Sequence, residues 1–201
     1  MNHIFYIMGK SACGKDHIYT ALLNNEKLRG KLEPLIIYTT RPKRKREKDG
    51  REYFFSNEKK LADLRNSGRI IEERVYQTVY GPWYYFTADE GQIELDKYSY
   101  LGIGTLESFR KLVKYFGEAV MIPVYIEVDD GIRLERALKR ERKQEVPKYK
   151  EMCRRFLADC KDFSEEQIEE AGIRRRFENN GAIKDCIDAC AAYILVTEGE
   201  D

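Results

Sequence analysis

The chain has 201 residues, 42% hydrophobic and 35% charged, with a formal net charge of +1. That length suits one α/β domain with insertions, and the balanced charge supplies no global field for nucleic acid or a membrane surface. No apolar run approaches a membrane span and the first residues lead directly into a strand, so the expectation is a cytoplasmic protein without a signal peptide.

The first predicted strand is Ile4–Met8, followed by Gly9-Lys10-Ser11-Ala12-Cys13-Gly14-Lys15 and a helix predicted over Lys15–Leu23. The G-x-x-x-x-G-K pattern lets a loop curl with its backbone N–H groups facing inward. Those donors and the helix N-terminus cradle a polyphosphate, and Lys15 reaches the outer phosphates. A Gly-rich turn that binds nothing is the bland alternative. A Ser or Thr that ligates magnesium normally follows the lysine; here Asp16 stands there. Its carboxylate either ligates magnesium itself or repels the phosphates and weakens the site. Strands are predicted next at Pro34–Tyr38, Tyr53–Ser56, Ile70–Tyr76, Trp83–Phe86, Ser99–Ile103 and Val120–Val128. They alternate with helices at Glu58–Ser67, Leu106–Phe116, Gly131–Lys143, Lys148–Phe163 and Ala182–Leu195. This alternation predicts an α/β fold: a three-layer core with a parallel sheet covered by helices. The close, short runs between Tyr53 and Phe86 predict a small α+β insertion over residues 40–95. The core then comprises 1–39, 96–132 and 151–201.

Six of the eight residues from Arg41 to Lys48 are basic, in a short loop ending at an Asp49-Gly50 turn. Arg41 and Arg44, three apart, can converge on one phosphate, for which guanidinium forks are well shaped. Tyr53 adds a hydroxyl donor. A nucleic-acid patch is the rival reading, disfavoured by the balanced net charge. The charged segment from Glu135 to Lys150, broken near Pro147, is either a solvated helix face or a mobile lid that brings arginines to phosphates. Given the phosphate loop, the lid is the preferred reading, over residues 133–150. Arg136 and Arg140 share a helix face there. Five cysteines without a C-x-x-C pair, and only two histidines, argue against zinc and for thiols in a reducing compartment.

Four patterns occur in order: Thr39-Thr40-Arg41-Pro42-x-Arg44, Asp49-Gly50-x-x-Tyr53-x-Phe55, Gly68-x-Ile70-Ile71-Glu72 and Tyr80-Gly81. Together they resemble the monophosphate-binding domain of guanylate kinase. Val124–Arg140 is similar to that family's last core strand and lid start, Arg155 to the arginine of its next helix, and Phe177-x-Asn179 to its late adenine-side strand. The resemblance covers nearly the whole chain. It implies that Gly9 to Asp16 and Asn179 bind ATP, and that Arg41, Arg44, Tyr53 and Tyr80 hold the acceptor phosphate. It implies Glu72 as the carboxylate that accepts from guanine N1–H and N2. Lys15, Arg41, Arg136, Arg140 and Arg155 are then the catalytic cations, with Mg2+ as cofactor and Asp16 as its candidate ligand.

The implied reaction is phosphoryl transfer from ATP to a nucleoside monophosphate, GMP or dGMP, by a monomer or homodimer that binds neither nucleic acid nor membrane. Three departures keep alternatives open. Ile37 replaces a usual serine, Pro82 and Trp83 stand where a small hydroxyl residue follows Tyr80-Gly81, and Gly102 and Gly104 stand where the family carries aspartates. The alternatives are a same-fold kinase for another nucleotide or a ribose phosphate, and a non-catalytic binding module of guanylate-kinase type.

Overall fold

All five side chains of β1 (Ile4–Met8) are buried. An unbroken apolar run is what a strand covered on both faces requires. Alternation divides it, with Phe5 and Ile7 entering one core and Ile4, Tyr6 and Met8 the other. The computed structural model describes residues 2–78 and 80–199. Beyond β1 the chain forms α1 (Lys15–Leu23), β2 (Leu32–Pro34), β3 (Tyr38–Thr39), β4 (Phe54–Phe55), α2 (Glu58–Asn66), β5 (Ile70–Thr78) and β6 (Gly81–Ala88). There follow β7 (Ser99–Gly104), α3 (Leu106–Phe116), β8 (Met121–Glu127), α4 (Asp130–Glu141), α5 (Tyr149–Asp162), α6 (Glu165–Glu170), β9 (Arg176–Glu178) and α7 (Ile183–Thr197).

The main sheet runs β2-β7-β1-β8-β9, all parallel. α1 and α7 cover one face through Ile18, Leu22, Cys186, Cys190 and Ile194, and α3 covers the other through Leu106, Phe109 and Leu112. This is the expected three-layer core. Because β1 is central, its following loop opens at the carboxyl edge of the sheet, where ligands bind in such folds. A separate mixed sheet runs β4-β3-β6-β5. α2 closes one side of it, packing Leu61 and Leu64 on Tyr38, Phe86 and Ala88.

The strand predicted over Pro34–Tyr38 is two strands in two sheets. β2 ends at Pro34 in the main sheet, and β3 begins at Tyr38 in the small one. Between them Leu35 N still donates to Leu101 O at 2.8 Å, while Ile37 O accepts from Phe54 N at 3.0 Å. Apolar continuity reports burial, not which neighbour a strand pairs with. α6 was absent from the predicted elements; its start is marked by Ser164, whose side chain accepts from Gln167 N.

The register sets Tyr6 beside Gly102 and Met8 beside Gly104. The Tyr6 ring lies across both glycines: a Cβ on Gly102 would come within 2.6 Å of Tyr6 Cδ2, and one on Gly104 would fall on the Tyr6 hydroxyl. That hydroxyl lies 2.8 Å from Ser108 Oγ. Ser108 directs its own proton to Thr105 O at 2.9 Å, so Tyr6 donates. Burial pushes the Tyr6 phenol up to about 12, which keeps the donor protonated. An aromatic ring thus occupies the space that aspartates at 102 and 104 would need. Gly102→Ala is expected to cost about 1–3 kcal/mol by overpacking; an unchanged urea midpoint would show that the ring yields freely.

Candidate active site

The loop after β1 turns into α1 at Gly14, whose φ of 91° lies in the left-handed region that favours glycine. A Cβ there would also come within 2.7 Å of Asn179 Nδ2. Asn179 is buried just after β9 and donates from Nδ2 to Cys13 O at 2.8 Å. Its Oδ1 is buried with no hydrogen-bond partner among the described residues. Asn179 therefore props the loop from below. Lys15 lines a cleft of about 940 Å³ together with Gly9, Ser11, Arg74, Tyr76, Thr105 and Arg155. Cys13 is fully buried, and burial raises its thiol pKa.

The outer side of the loop is held by a residue that the sequence reading passed over. Arg133 of α4 has no exposed surface and donates from Nη1 to Ser11 O at 3.1 Å. Its Nε and Nη2 grip Asp130 Oδ1 at 3.0 and 2.7 Å, and its guanidinium lies 4.4 Å from the Phe156 ring centroid. Ser11 N donates to Asp159 Oδ2 of α5 at 2.8 Å. Lys10 lies 3.4 Å from Asp130. The signal for Arg133 was the i, i+4, i+8 stripe of Arg133, Ala137 and Glu141, all buried on α4.

The predicted lid arginines lie beside that stripe and not on it. Arg136 is half-buried and Arg140 exposed. Arg140 lines a smaller cleft of about 220 Å³ with Ser11, Lys148 and Arg155. Arg155 lines both clefts, and its Nε donates to Glu151 Oε1 at 2.8 Å. Arg154 and Arg155 together hold the Glu151 carboxyl down at about 2. Arg136 lines neither cleft.

The small sheet gathers the second group. Register sets Glu72 opposite Thr87 and Arg74 opposite Tyr85. Arg41 is 3% exposed. Its guanidinium forks onto Glu47 at 3.0 and 2.7 Å and lies 5.4 Å from the Tyr53 ring centroid. Tyr53 meets Tyr85 edge-on at 5.6 Å. The Arg41 fork holds the Glu47 carboxyl below its ordinary range, and burial raises the Tyr53 phenol. Arg44 is exposed and joins this group through its backbone: its N–H donates to Glu47 Oε2 at 2.8 Å and its carbonyl accepts from Glu47 N at 3.1 Å.

Tyr80 is not beside Arg41 and Tyr53. It sits in the turn between β5 and β6, 83% exposed, stacked on Trp83 at 6.4 Å. The Tyr80-Gly81 pair marks the tip of the β5–β6 hairpin, and farther along β6 it is Tyr85 that meets Tyr53. Pro82 and Trp83 follow Gly81 at the tip, and farther along β6 Thr87 donates to Glu72 Oε1 at 3.0 Å.

The sequence profile described as "Guanylate kinase" matches residues 1–171. The chain belongs to the guanylate kinase family. Guanylate kinase of Nitrosomonas europaea is 34% identical over 82 residues, 40% of this chain and 39% of that one. Guanylate kinase of Anaplasma phagocytophilum is 31% identical over 103 residues, 51% and 45% of the two chains. The chain thus spans less than half the length of these curated relatives. A crystal structure of guanylate kinase from Anaplasma phagocytophilum superposes with a TM-score of 0.62 over 97% of this chain and 85% of that one, at 19% identity, and shares the fold.

Guanylate kinase membership implies magnesium. Among the described residues no group of three or more His, Cys, Asp or Glu forms a protein metal cage. Magnesium carried on nucleotide phosphates needs only one or two carboxylates. Asp16, exposed in the first turn of α1 next to Lys15, fits that sparse donor set.

Thiol chemistry checks the loop geometry. Iodoacetamide at neutral pH is expected to label exposed Cys153 and spare buried Cys13, read by peptide mass spectrometry. Rapid labelling of Cys13 would mean that the loop opens.

Proposed function

We propose that this guanylate kinase family member transfers the terminal phosphoryl group of ATP to a nucleoside monophosphate, GMP or dGMP, giving ADP and the diphosphate. One observation carries the reading: a single cleft is lined by the phosphate loop, through Lys15, and by β5 of the small sheet, through Arg74 and Tyr76. Tyr76 in turn meets Tyr85 edge-on at 5.5 Å, next to Tyr53 and Arg41. In this reading donor and acceptor anions take separate cationic sites on the two units that line the cleft.

Phosphoryl transfer needs alignment and neutralisation of charge more than covalent help. The loop amides and Lys15 hold the donor phosphates. Arg41 exchanges the Glu47 carboxylate for the acceptor phosphate, Arg44 swings in from the surface, and the Tyr53 and Tyr85 hydroxyls donate to it. Glu72 accepts from guanine N1–H and N2. Arg155, followed by Arg140 and Arg136 as the lid over 133–150 closes, screens the group in transit and excludes water. Asp16 would be the residue of this chain that holds magnesium, which when bound would supply further charge neutralisation on the donor. Tyr6 in place of aspartates at 102 and 104 favours a second reading, a same-fold kinase for another phosphorylated acceptor. A coupled assay of ATP with GMP, dGMP, AMP, CMP, UMP and ribose phosphates separates the two.

Lys15→Ala is expected to lower turnover by about 10²–10³-fold, as loss of one preorganised donor does; near-normal activity would sink the mechanism. Loss of one hydrogen bond to a charged group, about 1.5–3 kcal/mol, predicts that Tyr85→Phe raises KM for the monophosphate by roughly tenfold or more, with KM for ATP unchanged. Tyr80→Phe should leave both unchanged. The opposite pattern would place the acceptor at the hairpin tip.

A further inference from the structure

Glu72 already has a full set of partners. Arg74 Nε donates to Oε2 at 3.0 Å, Arg74 Nη2 to Oε1 at 3.2 Å, and Thr87 Oγ1 to Oε1 at 3.0 Å. The Glu72 side chain has no exposed surface, and that of Arg74 is 10% exposed. Arg74, not Glu72, lines the cleft. The chemistry of this pair is specific. Nε–H and Nη2–H are two donors on nitrogens that share one carbon, in one plane. Guanine N1–H and the N2 amine have the same relation. Arg74 therefore presents Glu72 with the same two-donor fork as the edge of a guanine base.

We propose that Arg74 is an internal stand-in for guanine, a specificity-determining side chain that an acceptor base must displace from Glu72 before it can be read. The inference deepens the proposed function and rests on its assignment of Glu72 to the acceptor base. The apparent affinity for guanine is then the intrinsic affinity reduced by the fraction of molecules in which Glu72 is uncovered. That fraction is small, because a buried carboxylate stripped of its partner is costly. Burial acts against the Arg74 charge, but the Glu72 carboxylate together with Tyr6 and Tyr76 outweighs it and the guanidinium stays protonated. A neutral guanine edge replaces only the donors, not the charge, so the departing guanidinium has to be solvated, and the cleft that Arg74 already lines gives it access to water. A base without paired N–H donors, such as uracil, cannot take the place of Arg74 on Glu72.

Calorimetric titration of GMP and UMP into the unaltered protein, Arg74→Ala, Glu72→Gln and the double variant tests this. Arg74→Ala is expected to bind GMP about tenfold or more tightly than the unaltered protein, with UMP within about twofold. The gain should vanish in the Arg74→Ala/Glu72→Gln double variant. Should Arg74→Ala fold poorly, Arg74→Lys keeps the charge, lacks the fork, and is expected to show a smaller gain in the same direction. In the unaltered protein, GMP and not UMP should shift the Arg74 Nε–H resonance. Unchanged or weaker GMP binding in Arg74→Ala, an equal gain for UMP, or a gain that survives in the double variant would overturn the inference while leaving the kinase reading intact. If ATP binds but neither the unaltered protein nor any variant binds a monophosphate, the acceptor reading falls and the inference falls with it.

Discussion

A phosphate loop has to expose its backbone N–H groups, and a backbone that curls so tightly loses the neighbours that would normally hold it. The architecture around Gly9 to Lys15 answers that constraint. Cys13 O is tied to Asn179, Ser11 O to Arg133 and Ser11 N to Asp159, so β9, α4 and α5 each contribute one hydrogen bond to the loop. The central position of β1 makes this possible, because the strand and helices that follow on either side converge at its carboxyl end. Arg133 is the most committed of the three. A fully buried guanidinium is tolerated only with its charge paired and its donors used, and Asp130, Ser11 and the Phe156 face supply that.

Three arginines of the candidate site are each held by a carboxylate. Arg41 lies on Glu47, Arg155 on Glu151 and Arg74 on Glu72. These pairs differ in burial, and so in consequence. The exposed Arg155–Glu151 pair contributes little to stability and separates easily. Arg41 and Glu72 are nearly enclosed, so leaving the Arg41 guanidinium or the Glu72 carboxylate without a replacement partner is costly. In the proposed function an incoming phosphate replaces Glu47 on Arg41, and a base edge replaces Arg74 on Glu72. On the proposed function, ligand entry at the small sheet is an exchange of partners rather than the filling of an empty site, and its cost enters the apparent affinity.

Much of this was legible in the chain. The Ile4–Met8 run and the glycine spacing after it specify a buried strand and a phosphate loop, because both depend on local properties: apolar continuity and backbone freedom. The basic loop from Arg41, with Tyr53, was legible as a cluster for the same reason, and the proposed function makes it an anion site. Less legible were positions whose meaning depends on hairpin length. Tyr80 and Tyr85 are alike as residues, and only the extent of the β5–β6 ladder decides that one is a tip and the other a face. Arg136 and Arg140 have helical spacing, but so have Arg133, Ala137 and Glu141; which stripe is buried is set by how α4 lies on the loop and on α5.

The sequence by itself determined the α/β alternation, the polyphosphate loop with its unusual Asp16, and the family pattern from Thr39 to Glu72. These follow from residue type and spacing along one strand, loop or turn. Only the tertiary structure decided that Tyr6 fills the space above Gly102 and Gly104, that Arg133 and Asn179 brace the loop, and that Arg74 covers Glu72. Each of these joins residues brought together by strand register or packing between separate elements, and neither is encoded in any short stretch of the chain.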